Sequence, residues 1–212
     1  MPSVYPQTPG VIHEFESNDS IIEFPQRKAV INYGTSSVET FGLINCIAIG
    51  GIFINLAGEI KGTFMAHESP TDSATQITNI NSINIKIKSK EYKISKMVLF
   101  KIEPEGASNT TYFFKGISYN YDNLCEELAK ECERLFGIKP NIIEYGYYCG
   151  RYMKNKTDPR LSLCGKATIN PTRDYITTYS GNIKFGGKIK YYKKQLSRKK
   201  YKKSRRTYKI RK

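Results

Sequence analysis

The sequence has no tryptophan and only two histidines, His13 and His67. Its five cysteines, Cys46, Cys125, Cys132, Cys149 and Cys164, are odd in number, and none are spaced as CxxC. That pattern excludes a zinc ribbon and a disulfide framework as expectations, and it fits a reducing, intracellular compartment, cytoplasmic or nuclear. No run of about 18 apolar residues exists, so no membrane span is expected. The first residues, MPSVYPQTPG, lack the basic start and apolar run of a secretory signal. Neither Gly50-Gly51 nor Gly186-Gly187 continues as GK[ST] or GxGxxG, so neither reads as a phosphate loop. They read as a strand kink and a tail hinge. No internal repeat is present.

Acidic residues are absent from one stretch. Residues 188–212 hold fourteen Lys or Arg and no Asp or Glu. Removing those from the total of 34 leaves twenty basic residues against 19 acidic ones in residues 1–187, so the net charge of +15 belongs almost wholly to the C-terminal segment. The body is near neutral, while the tail is suited to nucleic acid or another polyanion. Lys199, Lys200, Lys202, Lys203, Arg205 and Arg206 are its densest cluster, and Tyr191, Tyr192, Tyr201 and Tyr208 offer stacking surfaces for exposed bases. Such a tail cannot bury a core and is expected to be disordered in isolation. In composition it resembles the ends of many proteins of large DNA viruses.

What is present between the ends suits one domain, with 39% hydrophobic residues to build a core. Residues 1–28 read as a partly ordered leader ending in a short strand at 21–24, and the body as residues 29–187. Ile47-Ala48-Ile49-Gly50-Gly51-Ile52-Phe53-Ile54 is an apolar, β-branched run that reads as a buried strand. Asn55-Leu56-Ala57-Gly58 supplies a turn, and residues 59–66 return as a second strand. Ile83, Ile85 and Ile87 alternate with Asn84, Lys86 and Lys88, a period of two that predicts a half-buried strand. Strands are also expected at 92–102 and 110–119, and within 138–148 and 166–183. The clearest helix is 124–136, with Asn123 as cap, Glu126 completing a capping box and Gly137 closing the C-terminus. The order implies an α+β fold, a mixed or antiparallel sheet sandwich with helix packed on it.

Cysteine chemistry needs a thiol beside a base, a base held in one orientation and donors for an oxyanion. Cys46 opens the first strand of the hairpin and His67 ends the second. Antiparallel neighbours are about 4.8 Å apart, so the two residues arrive at the same end of the sheet. Thr40, six residues before Cys46, can return to the His67 ring as the orienting group, with Glu39 and Glu68 as charged alternatives. The Cys46 backbone N–H and the Asn45 amide are the oxyanion donors at hand. Spacing alone leaves a second reading open, in which Cys46 is a small buried hydrophobe and His67 a structural histidine. Cys125 and Cys132 share a helix face and read as core packing. His13, beside Glu14, carries no catalytic expectation, and Cys149 and Cys164 have no base near them in sequence.

Thr40-Phe41-Gly42-Leu43-Ile44-Asn45-Cys46 resembles the Thr-x-Gly-x-Gly-Ser-Cys segment of the chemoreceptor glutamine deamidase family, CheD. Met65-Ala66-His67-Glu68-Ser69-Pro70 is similar to that family's Gly-Met-Ala-His-x-x-x-Pro segment. The resemblance is strongest over residues 38–70 and weaker to about 155, where Gly146 to Arg151 echoes a Gly-Gly-x-x-x-Arg region. Ile44-Asn45 stands where the family has Gly-Ser. The family also places a helix after its histidine, where residues 73–88 here read as strand. The resemblance implies a CheD-like sandwich with Cys46 as nucleophile, His67 as base, Thr40 as orienting residue and Asn45 in support. It further implies a hydrolase that converts an accessible glutamine of a protein substrate to glutamate and ammonia through a Cys46 thioester. Such a reaction needs no metal and no organic cofactor. Transglutamination is the variant outcome if an amine replaces water. The alternative reading is a non-enzymatic, nucleic-acid-associated or virion structural protein that uses its basic tail on a deamidase-like scaffold.

Overall fold

Both faces of the central strand are apolar because both are covered. The protein is described here from a computed structural model covering residues 11–18, 21–41, 43, 46–102, 110–145, 166–171, 175–178 and 181–184. Its strands are β1 (Ile12–Phe15), β2 (Ile22–Phe24), β3 (Lys28–Asn32), β4 (Val38–Thr40), β5 (Ile47–Ile54) and β6 (Ile60–Glu68), followed by helix α1 (Ser73–Ser89). Then come β7 (Lys93–Ile102), β8 (Tyr112–Phe114), β9 (Ile117–Tyr119), helix α2 (Tyr121–Phe136), β10 (Asn141–Tyr145), β11 (Ala167–Asn170), β12 (Tyr175–Thr178) and β13 (Gly181–Lys184). The first sheet runs β1-β3-β6-β5-β7-β10, antiparallel in its middle and parallel at both edges. The second runs β13-β12-β11-β4-β2, with one parallel pair, β2 and β4. β8 and β9 form a separate hairpin.

Side chains of β5 alternate between two cores. Ile47, Ile49 and Phe53 pack with Ile77, Ile80, Ile83 and Ile87 of α1 and Leu124 and Leu128 of α2. Ala48 and Ile52 pack with Ile22, Phe24, Val38, Ala167 and Ile169 of the second sheet. The first sheet is thus the middle layer, with helices on one face and the second sheet on the other, an α+β architecture of mixed sheets. A strand covered on both faces reads as a continuous apolar run, which is why 47–54 carries no polar alternation. A Cβ on Gly51 would lie 2.0 Å from the Lys96 carbonyl oxygen, so glycine there permits the close approach of β7.

Several local expectations change. Residues 73–88 are helix, not strand. Ile77, Ile80, Ile83 and Ile87 recur every three to four residues and are buried, while Ile85 is 60% exposed. The alternation over 83–87 is a fragment of that longer period, and packing decides between them. Residues 110–119 form the β8–β9 hairpin, turned by Lys115 and Gly116 at positive φ, rather than one strand. α2 begins at Tyr121, three residues before the expected start. Asn120 caps it by accepting a hydrogen bond from the Asn123 amide at 2.8 Å, and Gly137 closes it in the left-handed conformation at φ 72°. Within the stretch expected as a leader, β1 pairs with β3 and β2 with β4, so that segment contributes to both sheets. The basic tail, 188–212, lies outside the described residues. Among the described residues, no helix is long and apolar enough to cross a membrane.

Candidate active site

The β5–β6 register sets the site. Ala48 pairs with His67 and Ile47 with Glu68, so Cys46 stands two residues before the direct partner of His67, on the same face of the sheet. Such diagonal neighbours are about 7–8 Å apart at Cα, within reach of long side chains. That face is the one covered by the second sheet, where β4 carries Thr40. β4 sits beside β2, with Thr40 opposite Phe24. The chain enters β3 through Arg27, which is in the left-handed region at φ 61° and donates its amide to the His67 carbonyl at 2.7 Å. Lys28 then pairs with His67 from the other side, so β6 is fixed between β3 and β5 at this residue.

Thr40 Oγ1 makes two hydrogen bonds, to the Phe24 carbonyl at 2.9 Å and to His67 Nδ1 at 2.7 Å. A hydroxyl has one proton, and a carbonyl only accepts. Thr40 therefore spends its proton on Phe24 and accepts from Nδ1–H. His67 is fixed as the Nδ1-protonated tautomer, with the lone pair on Nε2. That nitrogen has no hydrogen-bond partner among the described residues. His67 is fully buried, and burial holds its imidazole neutral, with the pKa lowered from 6.5 to about 3. The arrangement is an oriented neutral base on the sheet face that also carries Cys46, which is 7% exposed, and Nε2 makes no hydrogen bond to Cys46 Sγ.

The charged alternatives to Thr40 are committed elsewhere. The Glu39 carboxylate accepts from Thr168 Oγ1 and from Lys166 Nζ. Glu68, on β6 next to His67, accepts from Asn79 Nδ2 of α1 at 3.0 Å. It is nearly fully buried, and desolvation together with the Asp72 charge pushes its pKa from 4.5 up to about 7, against the pull of Arg27. Asn45 lies outside the described residues, as do Gly42, Ile44, Cys149, Cys164 and the tail residues Lys199, Lys200, Lys202, Lys203, Arg205 and Arg206. Cys125 and Cys132 are buried in the helix-side core, where desolvation pushes both thiols up to about 12 and makes them inert. His13 lies on the edge strand β1, with its Nε2 3.3 Å from Lys28 Nζ.

Two residues at the site were not singled out in the sequence. Tyr121, the first residue of α2, donates its hydroxyl to the Cys46 carbonyl at 3.2 Å. Gln76 of α1 directs Nε2 at the carbonyls of Ile47, at 2.9 Å, and of Ala66, at 3.3 Å. The only trace of Gln76 in the sequence is a polar residue inside the Ile77, Ile80, Ile83, Ile87 stripe. Lys101 of β7, ion-paired with Asp122 at 2.6 Å and Glu144 at 3.0 Å, ties the start of α2 to this end of the sheet. No protein-family model matches the chain, and a search of curated proteins also finds no match.

Proposed function

We propose that the chain is a cysteine hydrolase of protein glutamine side chains, a divergent relative of the chemoreceptor glutamine deamidases. The observation that carries the reading is the Thr40–His67 hydrogen bond, whose donor sense leaves Nε2 as the base on the face that Cys46 shares. Support also comes from α1, since a helix after the histidine is what the resemblance to that family implies.

The reaction proceeds in two halves. Cys46 Sγ attacks the carboxamide carbon as its proton passes to His67 Nε2. The tetrahedral intermediate collapses when that proton moves to the departing nitrogen, releasing ammonia and leaving a thioester. Water then attacks the thioester carbon, giving its proton to Nε2. The C–S bond breaks, the proton returns to sulfur, and glutamate is released. A neutral buried imidazole acts here as a base during attack rather than as a standing cation. Thr40 stabilises the imidazolium that forms, by keeping its Nδ1–H paired.

The test incubates candidate protein substrates with wild type, Cys46→Ala and Thr40→Val. It reads ammonia release and the one-dalton Gln-to-Glu mass increase. Cys46→Ala is expected to abolish both. Thr40→Val, which leaves Nδ1–H and the Phe24 carbonyl without the hydroxyl, should lower turnover by about 10-fold or more. Deamidation that persists in Cys46→Ala, or Cys46 that iodoacetamide labels no faster than Cys125, overturns the reading.

A further inference from the structure

We infer that Tyr121 and Gln76 are positioning residues for the Cys46–His67 pair, acting through the backbone from the helix side of the sheet. This rests on the hydrolase reading above and adds what holds the pair in register. Cys46 lies just outside the β-ladders, since pairing with β7 starts at Ala48 and pairing with β6 at Ile47. A nucleophile there is not held by sheet hydrogen bonds alone. Tyr121 Oη reaches its carbonyl at 3.2 Å from a helix anchored by the Lys101–Asp122 ion pair, which fixes the peptide that follows the cysteine. Gln76 Nε2 binds the carbonyl of the residue after Cys46 and the carbonyl of the residue before His67. One amide therefore bridges the two strands at the level of the pair and opposes splaying of their ends.

Gln76 is a costly choice for stability. It is fully buried against a core of largely aliphatic and aromatic side chains, and its Oε1 has no partner among the described residues. A buried amide with an unmet acceptor is penalised, whereas methionine fills a similar volume without a strongly polar atom. A residue that costs the fold and grips both strands at the reactive pair is accounted for by positioning. Tyr121 has a separate packing role, its ring lying 6.0 Å from that of Tyr112 in an edge-on contact. Tyr121→Phe keeps that ring and removes only the hydroxyl.

The experiment measures iodoacetamide labelling of Cys46 by peptide mass spectrometry from pH 5 to 9, in wild type, Tyr121→Phe and Gln76→Met, with Tm recorded for each. In both variants Cys46 is expected to react about fivefold or more slowly at pH 7, the scale of one lost hydrogen bond. The loss should be greatest below the ordinary thiol value of about 8.5, where the thiol stays protonated and depends on Nε2 to take its proton during attack. Gln76→Met loses two hydrogen bonds together with the unmet acceptor, so its Tm is expected to stay near wild type while reactivity falls, a combination that a merely structural residue does not give. If one variant does not fold, the other decides. A reactive wild-type Cys46 whose rate and pH profile are unchanged in the folded variants overturns this inference and leaves the hydrolase reading intact. A wild-type Cys46 no faster than Cys125 overturns both.

Discussion

The residues of the site owe their behaviour to which face of one strand they occupy. His67 and Glu68 are neighbours on β6 and point to opposite cores. His67 meets a hydroxyl that accepts its one proton. Glu68 meets an amide and a second carboxylate, and burial drives it toward the neutral acid. The consequence for stability has a definite sign. The folded Glu68 holds a proton up to about pH 7, while the ordinary carboxyl has lost it above 4.5. Between those values the folded state binds more protons than the unfolded, so stability falls as pH rises. His67 acts oppositely, since its folded pKa of about 3 lies below 6.5 and stability is lost as pH falls through that range. Glu68→Gln isolates the first effect. The variant should gain on the order of 2–3 kcal/mol over wild type between pH 4.5 and 8, read by urea unfolding at each pH. A variant-minus-wild-type difference that stays constant across that range would refute the assignment.

At the scale of elements, α1 shows how a short pattern can mislead. Five residues, 83–87, alternate as a strand would, but the seventeen residues of Ser73–Ser89 carry a helical stripe. Asn, Thr and Ile are indifferent helix formers, so propensity gave little help, and burial against β3, β5, β6 and β7 settles the matter. The two geometries differ in what they bury. Ile80→Ala is expected to cost about 2–5 kcal/mol, the range for a large side chain truncated in a core. Ile85→Ala, at an exposed position, should stay within about 0.5 kcal/mol. Equal costs at the two positions, measured by chemical denaturation, would contradict the helix. The hairpin at 112–119 and the early start of α2 have a similar origin. Gly116, with Lys115 beside it, ends one strand sooner than its apolar residues suggested, and Asn120 rather than Asn123 sits where the cap geometry is met.

At the scale of the molecule, charge and fold are segregated. A near-neutral body holds the candidate site, while fourteen basic residues lie in 188–212. The alternative reading of the chain as nucleic-acid-associated rests on that segment and predicts binding to DNA or RNA that is steeply salt-dependent. Contacts by Lys199, Lys200, Lys202, Lys203, Arg205 and Arg206 to six phosphates give a slope of log K against log salt near about −5. Deleting 188–212 should abolish that binding, and Cys46→Ala should leave it unchanged. Binding that survives the deletion with the same slope would place the interaction on the body. The two readings are compatible, because such a tail can bring an active hydrolase to its target.

The sequence by itself determined the β5–β6 hairpin, the amphipathic body of α2, the α+β class and the segregation of charge. These follow from local patterns: a long apolar run with turn chemistry, a 3.6-residue period and a block of one sign. It also offered Thr40, Cys46 and His67 as a set, through segments resembling a known family. Tertiary structure decided what no local pattern carries. It set the register that places Ala48 opposite His67. It packed a second sheet on the first, bringing the Thr40 hydroxyl to Nδ1 and fixing the tautomer, and it brought Tyr121 and Gln76 to the backbone of the pair. Those contacts join residues up to 75 positions apart, and only the closing of the layers on one another creates them.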